Sequence, residues 1–435
     1  MTAAPALDRW SRLLGPGEEV MWRMNEAGSL NFVMLARVRG ELARGPLEAA
    51  LAEVQRRHPL LRVRVDAGGR VPRFVADGCP PIPLRVLAGA VFADVVKAEV
   101  NEGFAWETGP LIRVAVLPEP GGFRLLAAFH HVIGDATSGT FFVRDLLRAY
   151  AHAHEGRPGP ALEPLPPLPP QDDLVPGLGS LGLIPRALGF AARSLWAKAR
   201  GTTRPAMDNP AWPITTEVIP RLLNEATMAA LLERARTEGT TVHGAICAAM
   251  LLATARDVGG SGPHRMGCIS PINIRRQLAP PVGDDIGFFI SGVVTRHRVA
   301  PGTPLWRLAR EVKEALERAR ARGDDLTGLV LQRYSRSTQD PVRLAATMSD
   351  MLAATVTITN LGQLEVDEVY GPFALEELGF CAAGNDFPRA AAGVMVTTFR
   401  GRGSFHYVYG NPSYARDRAH AACDDAIGLL EAAAR

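Results

Sequence analysis

A proline-rich stretch near the middle of the chain limits how it can fold. Seven of the 13 residues from Pro158 to Pro170 are proline. Proline fixes φ and lacks a backbone N–H, so such a stretch favours extended backbone and cannot lie inside a helix. The chain has 435 residues, too many for one ordinary core. We therefore expect a linker and connecting helix at 157–211, joining an N-terminal subdomain at 1–156 to a C-terminal subdomain at 212–435.

Helix and strand patterns are interleaved in both halves. The first half has a helical pattern at 45–58 and strand patterns at 60–65, 110–117 and 125–129. The second half carries helical patterns and strand patterns in turn, at 224–238, 241–256, 265–271, 305–322, 352–359, 393–399, 405–409 and 417–434. This alternation predicts an α/β or α+β protein.

Composition excludes several classes of protein. A hydrophobic fraction of 47% and a charged fraction of 21% are typical of a folded soluble protein. The net charge is only +3 and the basic residues are dispersed, which argues against nucleic-acid binding. The five cysteines form no CxxC pair, which indicates a reducing compartment rather than a disulfide framework. There is no signal-peptide pattern and no apolar run of ~20 residues, so we expect a cytoplasmic protein.

The strongest chemical signal is a histidine pair, His130 and His131, followed by Asp135. The pair follows the apolar run 125–129, and a glycine-containing turn at 134–139 precedes a helical pattern at 141–150. An imidazole titrates near neutrality and can accept a proton, while a nearby carboxylate can hold a ring or fix a turn. A base at the end of a buried strand is a common way to build a reactive site.

Two other readings of these residues are open. A buried histidine can simply be hydrogen-bonded to backbone. A metal site would use His131 and Asp135, but side chains four residues apart converge only on a helix, and no third ligand is evident. We therefore expect no metal. The chain also lacks a G-x-S-x-G elbow, a Walker A loop and an H-E-x-x-H motif.

The segment 181–200 is an amphipathic helical pattern. Leu188, Leu195 and Trp196 form an apolar stripe, and basic residues lie on either side of it. This pattern fits a helix packed on the domain surface, or a peripheral contact with a membrane.

The HHxxxD stretch at 130–135 resembles the signature of the chloramphenicol-acetyltransferase-like superfamily, which includes peptide-synthetase condensation domains and polyketide-associated acyltransferases. Four further regions are similar to those of the family in the same order: 45–65, which ends in the run His58–Arg62, then 109–113, then 271–276 followed by 285–289, and then 359–362. Ala136 stands where the family usually has glycine, and Asp284-Asp285 stands where Gly-Asn is more usual.

The resemblance implies a fold and a role for each candidate residue. It implies two acetyltransferase-like subdomains arranged as a pseudo-dimer, with the active site in a tunnel between them. His131 is then the general base, His130 supports the turn, and Asp135 is structural and pairs with an arginine, for which Arg275 is a candidate. Candidate oxyanion or supporting residues are Thr359, Asn360, Asn273 and Arg275.

The implied activity is transfer of an acyl group from a thioester to a small-molecule hydroxyl, giving an ester. The co-substrate is acyl-CoA or a phosphopantetheinyl carrier protein, so no bound cofactor is expected, and we expect a monomer. Two alternatives remain: amide formation on an amine acceptor, as in condensation domains, and a non-catalytic module that binds a carrier protein.

Overall fold

The computed structural model describes residues 10–177, 184–208, 214–335, 340–383 and 392–435. The first half mixes seven strands with four helices: β1 (Ser11–Leu13), α1 (Pro16–Ala27), β2 (Phe32–Arg39), α2 (Arg44–Arg57), β3 (Arg64–Asp66), β4 (Arg73–Val75), β5 (Leu84–Val86), α3 (Phe92–Asn101), β6 (Ile112–Glu119), β7 (Gly122–Phe129) and α4 (Ala136–His154). The middle of the chain contributes α5 (Gln171–Leu174) and α6 (Ile184–Arg200).

The described part of the second half has the same mixed character. Its elements are β8 (Thr215–Leu223), α7 (Glu225–Thr237), α8 (Val242–Val258), β9 (His264–Asn273), β10 (Ile290–Val299), α9 (Leu305–Ala321), α10 (Asp324–Ser335), α11 (Pro341–Leu352), β11 (Val356–Gln363), β12 (Val369–Tyr370), β13 (Phe373–Ala382), β14 (Ala392–Phe399), β15 (Arg402–Asn411) and α12 (Arg416–Ala433). The predicted α/β class is confirmed.

Two six-stranded sheets organise the molecule. The first has the order β12-β13-β2-β7-β6-β5, and the second has the order β10-β9-β11-β14-β15-β8. A small sheet, β1-β4-β3, lies apart from them. Each large sheet supports its own apolar core, with α3 and α4 packed against β2 in the first half and α8 packed against β9 and β11 in the second. This is the two-part, pseudo-dimeric arrangement expected from the sequence.

One strand crosses from the second half into the first sheet. Residues of β13 pair antiparallel with β2, so that Phe380 lies opposite Met34. In addition, α1 packs against α10 and α11. The first sheet is therefore not built only from residues that precede the proline-rich stretch, because β13, from the second half of the chain, completes it. This exchange holds the two halves together beside the histidine turn.

Three local expectations were wrong. The strand expected at 60–65 is a 3₁₀ turn at Pro59–Arg62 followed by the short β3, because proline begins a turn readily. The strand expected at 352–359 starts later, at Val356, since α11 runs to Leu352 and Ala353 caps it with φ of 46°. The expected turn at 134–139 is shorter, because the Asp135 side chain caps α4 and the helix begins at Ala136.

Candidate active site

His131 lies in the connection between β7 and α4. It opens a 3₁₀ turn, His131–Ile133, and its Nδ1 lies 2.7 Å from the carbonyl oxygen of Gly134. A carbonyl only accepts hydrogen bonds, so Nδ1 must carry the hydrogen. In the neutral ring Nε2 is then the unprotonated nitrogen. The turn therefore fixes the tautomer in which Nε2 can accept a proton.

Two aromatic rings, one from each half, flank the His131 ring. The Phe32 ring, from β2, has its centroid 5.3 Å away, and the Phe288 ring, from the segment before β10, has its centroid 5.5 Å away. The His131 side chain remains half-buried, whereas both phenylalanines are buried. Burial lowers the pKa of His131, although the Gly134 carbonyl and Asp135 act in the opposite direction. The ring is therefore favoured as a neutral base at the seam between the halves.

The His130 ring is buried and has the opposite tautomer to that of His131. Its side chain is buried, and its Nδ1 accepts a hydrogen bond of 3.1 Å from the Val132 backbone N–H. Burial, with a further effect from neighbouring His131, lowers the pKa of His130 to about 3. The neutral ring thus carries its hydrogen on Nε2, for which the described residues provide no partner. His130 holds the turn by its backbone contact and does not titrate near neutral pH.

Asp135 and Arg275 form a buried ion pair across the two halves. Nη1 of Arg275 lies 3.1 Å and 2.9 Å from the two carboxylate oxygens of Asp135. The side chains are 4% and 2% exposed. The carboxylate also accepts hydrogen bonds from the backbone N–H groups of Ser138 and Phe289. Asp135 is therefore engaged on all sides by structural contacts, and it faces the second half rather than the His131 ring nitrogen.

Ser138 completes this contact, and sequence reasoning missed it. Its hydroxyl accepts from Nη2 of Arg275 at 2.7 Å and from the Gly287 N–H at 3.1 Å, and it lies 2.9 Å from the Gly287 carbonyl oxygen. We call Asp135, Ser138, Arg275 and Gly287 the latch. The available signal was the position of Ser138 three residues after a helix-capping aspartate, which directs it to the same side of the helix N-terminus.

Asn273 and Asp284 support the latch at its edges. The Asn273 side chain accepts from the Arg275 N–H at 3.0 Å, and its amide nitrogen lies 3.3 Å from Oγ1 of Thr137. Asp284 lies 2.8 Å from Nη1 of Arg144 on α4, so the acidic residue forms another ion pair between the halves. Asn273 is therefore placed to position Arg275.

Thr359 and Asn360 lie near the end of β11 and are both half-buried. The side-chain oxygen of Asn360 accepts from the Gly362 N–H at 2.8 Å, which leaves its amide hydrogens for another acceptor. No hydrogen bond joins either residue to His131 in the part of the chain that the structure describes. The structure thus brings His130, His131, Asp135, Asn273 and Arg275 into one connected region, and it leaves the two oxyanion candidates outside that network.

The described residues contain neither a metal-binding cluster nor a membrane-spanning helix. Within the described ranges, no three His, Cys, Asp or Glu side chains are grouped to hold a metal ion. Among the described helices, none is long and apolar enough to cross a membrane.

Comparison with known protein families covers both halves of the chain. The profile of the condensation domain matches residues 23–166, which include the histidine pair. The profile described as phthiocerol/phthiodiolone dimycocerosyl transferase C-terminus matches residues 216–402, which include Arg275 and Asn360. Each half of the chain matches a family model of the chloramphenicol-acetyltransferase-like superfamily. The two matches occur in the order of the two halves, and nine of the 13 residues of the proline-rich stretch, 158–166, form the end of the first match.

Solved structures of this superfamily share the fold over nearly the whole chain. Polyketide synthase associated protein 5 from Mycobacterium tuberculosis is 18% identical with a TM-score of 0.71, and 96% of this chain and 97% of that chain are covered. A trichothecene 15-O-acetyltransferase from Fusarium sporotrichioides is 15% identical with a TM-score of 0.77, covering 99% and 98%.

The similar proteins found by sequence are large peptide synthetases. Bacitracin synthase 3 of Bacillus licheniformis is 24% identical over 366 residues, 78% of this chain and 5% of that protein. A dimodular nonribosomal peptide synthase of Bacillus subtilis is 29% identical over 169 residues, 36% of this chain and 7% of that protein. The chain thus spans less than a tenth of either relative.

At position 136 this chain has alanine in place of the glycine of the usual signature, and this causes no local strain. Ala136 is the first residue of α4 and does not have a positive φ, so a side chain is tolerated there.

Proposed function

We propose that this protein transfers an acyl group from a thioester to the hydroxyl of a small molecule, with His131 as the general base. The observation that carries the proposal is the hydrogen bond from Nδ1 of His131 to the Gly134 carbonyl, because it leaves Nε2 unprotonated. This nitrogen belongs to a half-buried ring between phenylalanines of both halves. A base in that position suits an acceptor and a donor that approach from different halves.

The proposed reaction is a proton-coupled acyl transfer. Nε2 of His131 takes the hydroxyl proton as the alcohol oxygen forms a bond to the thioester carbonyl carbon. The resulting tetrahedral oxyanion collapses, the carbon–sulfur bond breaks, and the thiolate leaves with the proton that His131 returns. The products are an ester and a free thiol, and His131 is again neutral.

The other candidate residues take supporting roles in this proposal. The Asp135–Arg275 pair and Ser138 hold the turn and join the halves, and His130 fixes the backbone next to the base. Asn360, whose amide hydrogens are free for an acceptor, and Thr359 are the proposed oxyanion donors. A donor aimed at the developing charge is typically worth ~10²–10³ in rate.

The acyl donor is either acyl-CoA or an acyl group on a phosphopantetheinyl carrier protein. The relatives named as peptide synthetases favour a carrier protein, and the relative named as a 15-O-acetyltransferase favours a hydroxyl acceptor. We propose that the protein acts as a monomer in the biosynthesis of a lipid, a polyketide or a peptide natural product. We also propose that the reaction requires no metal ion.

Release of thiol from a panel of acyl-CoA and acyl-carrier donors tests the proposal. Alcohols and amines are offered as acceptors, and mass spectrometry of the product separates an ester from an amide. His420→Ala, on α12 of the second half, is the matched control for His131→Ala. Equal turnover by His131→Ala and wild type would remove the proposed base. An amide product would support the condensation alternative, and carrier-protein binding without turnover of any donor would support a binding module.

A lipid surface is a second proposed partner, because α6 presents an exposed apolar face. Leu188, Leu195 and Trp196 are 66%, 68% and 58% exposed. Arg200 stacks on the Trp196 ring, which places a cation beside this face. A basic apolar helix face fits an anionic membrane surface. Flotation with phosphatidylglycerol vesicles should be lost in a Leu188→Ser/Leu195→Ser/Trp196→Ser variant, and equal flotation by the variant and the wild type would exclude the contact.

A further inference from the structure

A cavity of about 230 Å³ lies next to the candidate site and is lined by residues of α1, α6, α10, α11, β9 and β10. Its described lining is mainly apolar and includes three methionines, Met21, Met348 and Met351. Methionine is flexible and fills irregular space, so it adapts to chains of different shape. The volume is below the range of about 300–1,000 Å³ typical of sites for whole drug-sized ligands. The cavity therefore suits one part of a larger substrate.

Phe288 forms a wall shared by this cavity and the candidate site. Its side chain lines the cavity, and its ring lies 5.5 Å from the His131 ring between centroids. This one side chain therefore contacts both the base and the cavity.

One face of β10 forms the floor of the cavity. Ile290, Gly292, Val294 and Arg296 all line it, and residues two apart in a strand share a face. From Ile290 to Arg296 the strand covers roughly 20 Å. Gly292 lies in the middle of this floor, and the nearest atom to a Cβ placed there is 3.9 Å away. The floor is therefore extended, with free space above Gly292.

The end of the floor away from His131 is positively charged. Arg193, Arg296 and Arg322 line the cavity together with a single carboxylate, Asp324. Arg193 and Arg322 both bind Asp324, at 2.5 Å and 2.7 Å. Arg296 has no hydrogen bond or ion pair of its own among the described residues. Arg296 is exposed at this end of the cavity, and a guanidinium stays charged in proteins.

We propose that the cavity binds an aliphatic chain of the substrate and that Arg296 binds an anionic group, such as a carboxylate, at the chain end remote from His131. This inference rests on the proposed function for the identity of the reacting end, but the binding itself does not depend on catalysis. Two sources provide this chemistry: an acyl donor whose chain ends in a carboxylate, and an acceptor that is an ω-hydroxy fatty acid.

Direct binding of dodecanoate and of dodecanol, measured by calorimetry on the full chain, tests the cavity. We expect Gly292→Leu to weaken both ligands, because its side chain enters the free space without meeting backbone. We expect Arg296→Gln to weaken dodecanoate about two- to fivefold and dodecanol little, since the attraction between charges at an exposed site is screened by solvent. Arg298→Gln, two residues along the same strand and outside the cavity lining, is the matched control.

Unchanged binding of both ligands in Gly292→Leu would overturn the proposed cavity, and an equal effect of Arg296→Gln on the acid and the alcohol would overturn the anion site. Binding by the His131→Ala protein separates this inference from the proposed function, because it should persist even where no turnover is found. Turnover is then measured with ω-carboxyacyl-CoA donors and, separately, with ω-hydroxy fatty acid acceptors. The substrate whose turnover falls in Gly292→Leu is the one whose chain occupies the cavity.

Discussion

Removal of Arg275 should lower the free energy of unfolding more than substitution of any nearby surface residue does, because Arg275 joins the two halves. In Arg275→Ala the Asp135 carboxylate stays buried and keeps only the two backbone N–H donors of Ser138 and Phe289. The pair is 4% and 2% exposed, so solvent does not screen it. Loss of one partner from such a buried pair costs ~3–5 kcal/mol, because the remaining charge is uncompensated.

Arg276 provides the control for this measurement. It is adjacent in sequence, has the same side chain and is exposed. We expect Arg276→Ala to change the free energy of unfolding by less than ~0.5 kcal/mol. Urea denaturation followed by tryptophan fluorescence and by circular dichroism gives both values and shows whether the halves unfold together.

A double-mutant cycle with Asp135→Asn and Arg275→Gln isolates the pair itself. We expect the two losses to be far from additive, because each single variant already removes the same ion pair. Equal stability of Arg275→Ala and Arg276→Ala, or additive effects of the two substitutions in the cycle, would refute the argument that the latch joins the halves.

Three further results follow from the same geometry. The rate of acyl transfer should stay high below pH 6.5 and fall only at more acid pH, because burial lowers the pKa of His131 and the base form persists; a pH profile of kcat/KM checks this. Asn360→Ala should lower kcat by ~10²–10³ with little change in donor binding, as measured by steady-state kinetics. Thr359→Val tests the second proposed oxyanion donor by the same measurement. Ala136→Gly, although it restores the usual residue, should not stabilise the protein and should cost up to ~1 kcal/mol, measured by urea denaturation, since this position is helical.

The parts of the site that were local in sequence could be predicted. The strand before the histidine pair and the helix after it follow from apolar runs and glycine positions. The long helices at 225–237 and 242–258 were also evident, because their periodicity extends over several turns.

Contacts between distant segments could not be derived from patterns along the chain. The meeting of Arg275 with Asp135 came from a family resemblance, and no periodicity indicates that Ser138 binds Gly287. The strand β13 was not predicted, and its entry into the first sheet depends on pairing with the distant β2 rather than on a local pattern. The position of Phe288 between His131 and the cavity likewise depends on the fold and not on a local sequence pattern.

The single-turnover rate of His131→Ala tests the central claim most directly. Donor and acceptor are mixed with excess enzyme, and ester formation is followed at pH 7.5, with donor binding measured separately by calorimetry. We predict that the variant binds the donor with unchanged affinity and forms ester at least ~10²–10⁴ times more slowly than the wild type. Equal single-turnover rates in the two proteins, with equal donor binding, would contradict the assignment of His131 as the base.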